Sequence, residues 1–251
     1  MSAALLRVEN ISKRFGGLRA VDQVAFDVMS GCITALIGPN GAGKTTLFSL
    51  IAGFLPPDQG RIVYDGADVT GEPPHRLARR GIGRTFQIVK PFAGLTVREN
   101  IAVGSHLSRS RRADALAAAG DVARAVGLSA QLDQSAATLT VAGRKRLELA
   151  RALAIEPKLL LLDEVLAGLN PSEIRDMVPV IRDIAGRGVT ILMIEHVMQA
   201  VMSLAAQVFV LAEGRIIAQG APHEVAADRR VIEAYLGHGA ANRMAAGAAH
   251  A

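Results

Sequence analysis

Eight consecutive residues, Gly38-Pro39-Asn40-Gly41-Ala42-Gly43-Lys44-Thr45, match the pattern G-x-x-x-x-G-K-[ST], and Thr46 follows. The glycines let successive backbone N–H groups wrap around an anion, and a helix starting there adds the positive end of its dipole. In such a loop Lys44 reaches the outer phosphates of a nucleoside triphosphate, and the Thr45 hydroxyl helps to hold Mg²⁺. The competing reading is a chance glycine-rich turn. Against it stand a buried-strand run just before the loop, Cys32-Ile33-Thr34-Ala35-Leu36-Ile37, and a helical segment just after it, residues 45–52, stopped by Gly53. The pattern specifies a triphosphate; it does not say which protein acts on it.

A second constellation ends another buried run: Leu159-Leu160-Leu161-Leu162 is followed by Asp163-Glu164. Side chains alternate along a strand, so the two acids point in different directions. Beside a triphosphate this suits two tasks, Asp163 binding Mg²⁺ through its water shell and Glu164 polarising the attacking water. Alone, the pair reads equally well as surface acids after a core strand. The phosphate loop tips the balance.

The elements that position these residues follow from hydrophobic periodicity. Leu6 and Val8, then Val24, Phe26 and Val28, alternate as antiparallel strands do, and Arg61-Ile62-Val63-Tyr64 continues them to a turn at Asp65-Gly66. The runs at 32–37, 159–162 and 190–194 are of the buried type and are separated by helical stretches, the alternation of a parallel α/β sheet. Between Arg98 and Ala154 alanine-rich, charged, helix-period segments replace strands, which predicts a helical lobe inserted into the α/β domain. A hairpin is expected over 208–219, turning at Glu213-Gly214. Residues 238–251 are mostly Ala and Gly without periodicity and are expected to form a mobile tail.

Composition narrows the class. Half of the 251 residues are hydrophobic, which excludes a disordered or fibrous chain. One cysteine, Cys32, cannot form an internal disulfide and points to a reducing compartment. The N-terminus has no basic segment followed by an apolar one, so no signal peptide is expected. The longest apolar stretch, 189–212, is interrupted by Glu195-His196, Gln199 and Gln207, which argues against a spanning helix. If the protein works at a membrane, another chain does the spanning. The net charge of +5 includes basic clusters at 75–84, 109–112 and 144–146, read as solvated helix faces, with anionic lipid or nucleic acid as sharper alternatives. Aromatics are 4% of the chain and do not interleave with those clusters, so nucleic acid is not an expected partner.

In order and spacing these pieces resemble the ATP-binding-cassette (ABC) ATPase family from about Leu6 to Gly237. The resemblance implies a P-loop NTPase core with a parallel sheet, an antiparallel β subdomain and an inserted helical subdomain. The expected boundaries are core and β subdomain at 1–87 and 155–237, with the helical subdomain at about 88–154. It implies ATP and Mg²⁺ as ligands, and Phe15 as the aromatic that stacks on adenine. Gln87 in Phe86-Gln87 would contact Mg²⁺ and the attacking water and link hydrolysis to a membrane subunit. Leu139-Thr140-Val141-Ala142-Gly143 occupies the position of the family's signature segment, which binds the γ-phosphate of ATP held by a second subunit. Ala167-Gly168-Leu169-Asn170 matches the loop that crosses the dimer, and His196 the histidine that senses the γ-phosphate.

Finer features are similar to the ATPases of branched-chain amino acid importers: Arg84-Thr85-Phe86-Gln87, Leu95-Thr96-Val97-Arg98-Glu99-Asn100, Ala167-Gly168-Leu169-Asn170-Pro171 and residues 231–237. That branch also includes ATPases serving urea, short amides and lipopolysaccharide export. The implied partners are a second ABC ATPase subunit (a heterodimer is favoured over a homodimer), integral-membrane permease subunits and, indirectly, a solute-binding protein. The implied location is the cytoplasmic face of the inner or plasma membrane. Two alternatives remain at this level. A soluble ABC ATPase of DNA repair or translation would usually carry a very long coiled-coil insertion or two cassettes, and neither is visible. A non-catalytic scaffold is opposed by Gln87, Glu164 and His196. Where family members usually have Leu-Ser-Gly-Gly-Gln, this chain lacks both glycines and the glutamine.

Overall fold

The computed structural model describes residues 3–87 and 90–236; the tail expected at 238–251 lies outside them. In chain order the strands are β1 (Ala4–Phe15), β2 (Leu18–Met29), β3 (Ile33–Ile37), β4 (Gln59–Tyr64), β5 (Ala67–Asp68), β6 (Ile82–Arg84), β7 (Leu159–Asp163), β8 (Thr190–Ile194), β9 (Gln207–Ala212) and β10 (Arg215–Gly220). The helices are α1 (Lys44–Ile51), α2 (Pro74–Arg80), α3 (Val97–Ser105), α4 (Arg112–Ala125), α5 (Val141–Leu153), α6 (Pro171–Gly186), α7 (Met198–Leu204), α8 (Pro222–Ala227) and α9 (Arg229–Leu236).

Two sheets form. The antiparallel one has the order β2-β1-β4-β5, and the larger one β10-β9-β3-β8-β7-β6. In the larger sheet all neighbours are parallel except the β9–β10 hairpin, so the sheet is mixed at one edge. Every residue of β3, β7 and β8 is buried, as continuous apolar runs require. The period of two divides them between two cores. Ile33, Ala35, Ile37, Leu160, Leu162, Ile191 and Met193 face a core shared with α3 to α7. Leu36, Leu159, Leu161, Leu192 and Ile194 face one shared with α1 and the antiparallel sheet.

Two strands are not legible as periodic runs. β5 has two residues and β6 three, Ile82-Gly83-Arg84. β6 exists because β7 lies beside it in parallel register, Ile82 opposite Leu159 and Arg84 opposite Leu161. Between β6 and β7 the chain is helical, with α3 packed on both α4 and α5. A full capping box starts α3: Thr96 accepts from the Glu99 N–H while Glu99 accepts from the Thr96 N–H. No helix among the described residues is long and apolar enough to cross a membrane.

Candidate active site

The loop 38–43 leaves the C-terminal end of β3 and enters α1. Gly38 has φ +151° and Gly43 φ +104°, and there is no room for a side chain at either. A Cβ would lie 1.9 Å from the Leu211 carbonyl oxygen at Gly38 and 2.2 Å from that of Ala20 at Gly43. The β9–β10 turn braces the loop from outside, with the Gly214 N–H donating to Ala42 O at 3.0 Å. α1 begins at Lys44 with no side-chain cap, so its first N–H groups stay available to an anion. Lys44 Nζ donates to Gly38 O at 2.7 Å and Pro39 O at 3.0 Å. Burial lowers the Lys44 pKa, and the charges of Glu164 and Asp163 oppose that.

A cleft of about 590 Å³ opens above this loop. Asn40, Gly41, Ala42, Gly43, Lys44, Thr45 and Thr46 line it together with Phe15, Gln87 and Glu164. Phe15, at the end of β1, is half exposed there, with Lys13 Nζ 6.0 Å from its ring centre. Gln87 Nε2 donates to Glu164 Oε2 at 2.8 Å, and His196 Nδ1 stands 4.0 Å from Glu164 Oε1.

Asp163 is the last residue of β7, and Glu164 follows with φ +50°. The two acids part because the chain leaves the extended conformation after Asp163, not through strand alternation alone. Glu164 N donates to Ile194 O at 3.0 Å, which holds this bend against β8. The Asp163 carboxylate is nearly inaccessible and accepts from Arg84 Nη2 at 3.0 Å on Oδ2. Burial raises its pKa, and the Arg84 guanidinium pulls it back down.

Residues 84–87 each bond to a different group around the end of β7. Arg84 takes the Asp163 carboxylate, and Thr85 Oγ1 accepts from Asp163 N at 2.9 Å. The Phe86 N–H donates to the Glu148 carboxylate, and Gln87 takes Glu164. Burial also raises the Glu148 pKa, against that bond and the charges of Lys145 and Arg151.

Leu139, Thr140, Val141, Ala142 and Gly143 are not among the residues lining this cleft. They form the start of α5, where Thr140 Oγ1 accepts from the Gly143 N–H at 3.1 Å. Val141 is 57% exposed, and the first N–H groups of the helix have no intrahelical acceptor. The segment thus sits at a helix N-terminus apart from this chain's own cleft.

Three buried charged residues escape a reading of the sequence. Lys145 Nζ donates to Glu164 O at 3.1 Å and Gln87 O at 3.5 Å. Glu148 holds the Phe86 N–H. Glu195 Oε1 accepts from Leu166 N at 2.9 Å and fixes the loop after Glu164; burial raises its pKa. A signal for Glu195 exists, because a carboxylate inside an apolar run must find donors. For Lys145 and Glu148 there is none, since they sit in a charged, helix-period segment that reads as solvated.

The model of the ABC transporter family matches residues 21–167, and that of the branched-chain amino acid ATP-binding cassette transporters matches 215–241. BraF of Pseudomonas aeruginosa, a high-affinity branched-chain amino acid transport ATP-binding protein, is 39% identical over 94% of this chain and 99% of its own length. LivG of Escherichia coli, with the same description, is 37% identical over 94% and 99%. In three dimensions the chain is similar to the ADP conformation of MJ1267, an ATP-binding cassette of an ABC transporter. The TM-score is 0.86 at 33% identity, covering 94% of this chain and all of that one. The expected fold class holds: mixed sheet, antiparallel β subdomain and helical region over one ABC ATPase chain. The family match and these relatives agree, and the chain belongs to the ATP-binding subunits of ABC transporters, in the group of LivG and BraF.

Proposed function

We propose that the cleft binds Mg²⁺ and ATP, that Glu164 polarises the attacking water, and that hydrolysis drives import of branched-chain amino acids or a related small polar solute. One observation carries this reading: Lys44, Gln87 and Glu164 line a single cleft at the open N-terminus of α1. Phosphate oxygens would replace the loop carbonyls that Lys44 now touches. The Gln87 bond holds the Glu164 carboxylate in place, and His196, with Nδ1 4.0 Å from Glu164 Oε1, would sense the γ-phosphate. Phe15 would stack on the adenine. The solute rests on the names of BraF and LivG and on the match over 215–241, which favours import over the export alternative.

The residues present fit Mg²⁺. Asp163 Oδ2 is taken by Arg84, which leaves Oδ1, and the Thr45 hydroxyl and Gln87 amide stand on the neighbouring segments. Mg²⁺ typically takes one or two carboxylates with phosphate and water rather than an all-protein cage. No cluster of three acids, histidines or cysteines that could hold a metal occurs among the described residues. When bound, Mg²⁺ would neutralise charge on the outer phosphates.

The 139–143 segment would complete the ATP site of a second cassette, and that cassette's signature would complete this one. A heterodimer is favoured because this chain's segment departs from the family pattern. The permease would engage a largely apolar groove of about 240 Å³ beside Gln87, where Phe54 and Phe86 stand half exposed, edge to face at 5.6 Å. The chain would then sit on the cytoplasmic face of the inner or plasma membrane, with a solute-binding protein acting indirectly. Proteoliposomes holding the chain with its partner cassette and permeases test the reading. ATP-driven uptake of leucine should require the leucine-loaded binding protein and fall by about 10²–10⁴-fold with Glu164→Gln, the usual worth of a general base. Unchanged ATP hydrolysis in Glu164→Gln removes Glu164 from its role; hydrolysis without leucine uptake removes the solute.

A further inference from the structure

Arg84 touches both the Asp163 end of the active site and the apolar groove. It ends β6, at the edge of the larger sheet, and its side chain is 9% exposed. Nη2 donates to Asp163 Oδ2 at 3.0 Å, and Nη1 to Ser49 Oγ on α1 at 3.3 Å. The guanidinium lies 5.9 Å from the ring centre of Phe48, 5.5 Å from that of Phe54 and 5.4 Å from that of Phe86. Phe48 is fully buried, whereas Phe54, Phe86 and Arg84 itself line the groove. Two aromatic rings that face solvent thus help to place a cation that grips a buried carboxylate.

We infer that Arg84 is a positioning residue for the cation site, holding Asp163 by Oδ2 with Oδ1 left for the metal, and that Phe54 and Phe86 make this hold sensitive to what occupies the groove. The inference rests on the proposed role of Asp163. Two effects of Arg84 oppose each other: its charge repels a divalent ion, while its hydrogen bond orients the ligand that binds it. Burial decides between them. Asp163 sits in the protein with little water to hold it, so loss of Arg84 leaves an unanchored carboxylate. Groups that orient metal ligands typically contribute about 10–100-fold in metal affinity. Arg84 and Phe86 also adjoin the Phe86 N–H bond to Glu148 of α5, so the groove wall is anchored on both sides.

The test is Mn²⁺ titration of the full-length chain with a non-hydrolysable ATP analogue, free Mn²⁺ being followed by electron paramagnetic resonance. Arg84→Met should weaken Mn²⁺ binding about tenfold or more, leave metal-free analogue binding unchanged, and be partly rescued in Arg84→Lys. Phe86→Ala should weaken it by about threefold, the size of one exposed cation–π contact. Asp163→Asn is the control: unchanged Mn²⁺ affinity there overturns the cation site and this inference with it. If Asp163→Asn abolishes Mn²⁺ binding while folded Arg84→Met binds it as well as or better than the parent, only the inference fails. Should Arg84→Met not fold, unchanged Mn²⁺ affinity in both Arg84→Lys and Phe86→Ala overturns it equally.

Discussion

Lys44 shows how one side chain can hold a loop before any ligand arrives. Its ammonium binds two carbonyls of the loop that it would later leave for phosphate, so the loop is shaped in advance. Lys44→Ala should weaken ATP binding by about 10–100-fold, the usual contribution of charge-assisted hydrogen bonds; nucleotide titration of the purified variant is the measurement, and near-normal affinity would place the site elsewhere. Glu195 illustrates the opposite economy, a carboxylate kept buried to anchor one N–H of the loop after Glu164. Its pKa is raised in the fold, chiefly by burial. The folded protein therefore holds this proton more tightly than the unfolded chain. Stability is fully present below the unfolded carboxylate range and declines as pH rises through the folded value. Glu195→Gln keeps an acceptor for the Leu166 N–H without the charge. Its melting temperature should exceed the parent's at pH 8, by roughly 2–4 °C for each kcal/mol gained in a domain of this size. The difference should shrink toward pH 4. A constant difference across that range would mean that the carboxylate is not the cause.

At the scale of elements, the site depends on where strands end. β3 delivers the phosphate loop and β7 delivers Asp163 and Glu164, with β8 between them in register. The loop can run so close to β2 and β9 only because Gly38 and Gly43 have no side chain. Gly43→Ala should lower stability by about 1–3 kcal/mol from backbone strain alone, with nucleotide binding lost as the loop moves off the Ala20 carbonyl. Gly41, at φ +79°, meets nothing within 4 Å where its Cβ would be. Gly41→Ala should therefore show the strain without the displacement, and thermal unfolding with nucleotide titration separates the two. Equal losses in both would show that the close approach at Gly43 is immaterial. α5 joins functions that the sequence lists separately. The 139–143 segment caps and starts it, and Lys145 and Glu148 on the same helix hold the backbone of Glu164, Gln87 and Phe86.

For the whole molecule the consequence is asymmetry. The cleft holds Lys44, Gln87 and Glu164 with His196 beside them, whereas the 139–143 segment, proposed above to face a partner, lacks the glycines and glutamine usual in the family. Most hydrolysis should take place in this chain's cleft, completed by the partner's signature. The isolated chain should then be a poor ATPase, and Glu164→Gln should cost the assembled transporter far more than the same change in the partner. Substituting Thr140→Ser, Val141→Gly, Ala142→Gly and Gly143→Gln should raise the isolated chain's rate. The geometry permits it: a Cβ at Gly143 would meet Leu139 Cβ at 3.3 Å, which a small shift relieves. An isolated chain as fast as the complex, or equal damage from the two glutamate variants, would end this view.

The phosphate loop, the acid-tipped strand and the helical stretch before it were readable from the chain because each is local. A loop pattern, an apolar run and a helical period lie in consecutive residues, and backbone geometry turns them into structure almost regardless of context. The same holds for the fold class, which follows from the order of such runs. β6 was not readable. Three residues with a central glycine carry no period, and they become a strand only when β7 supplies the partner edge. Nor were the partners of residues 84–86. Arg84 and Asp163 are 79 positions apart, and Phe86 and Glu148 62. Whether a charged side chain in a helix-period segment faces water or a backbone N–H depends on which surface the helix buries. Lys145, Glu148 and Arg84 acquired their roles only when α5 and β6 packed against the end of β7, because burial makes an unpaired charge costly and the residues that build the site supply partners there.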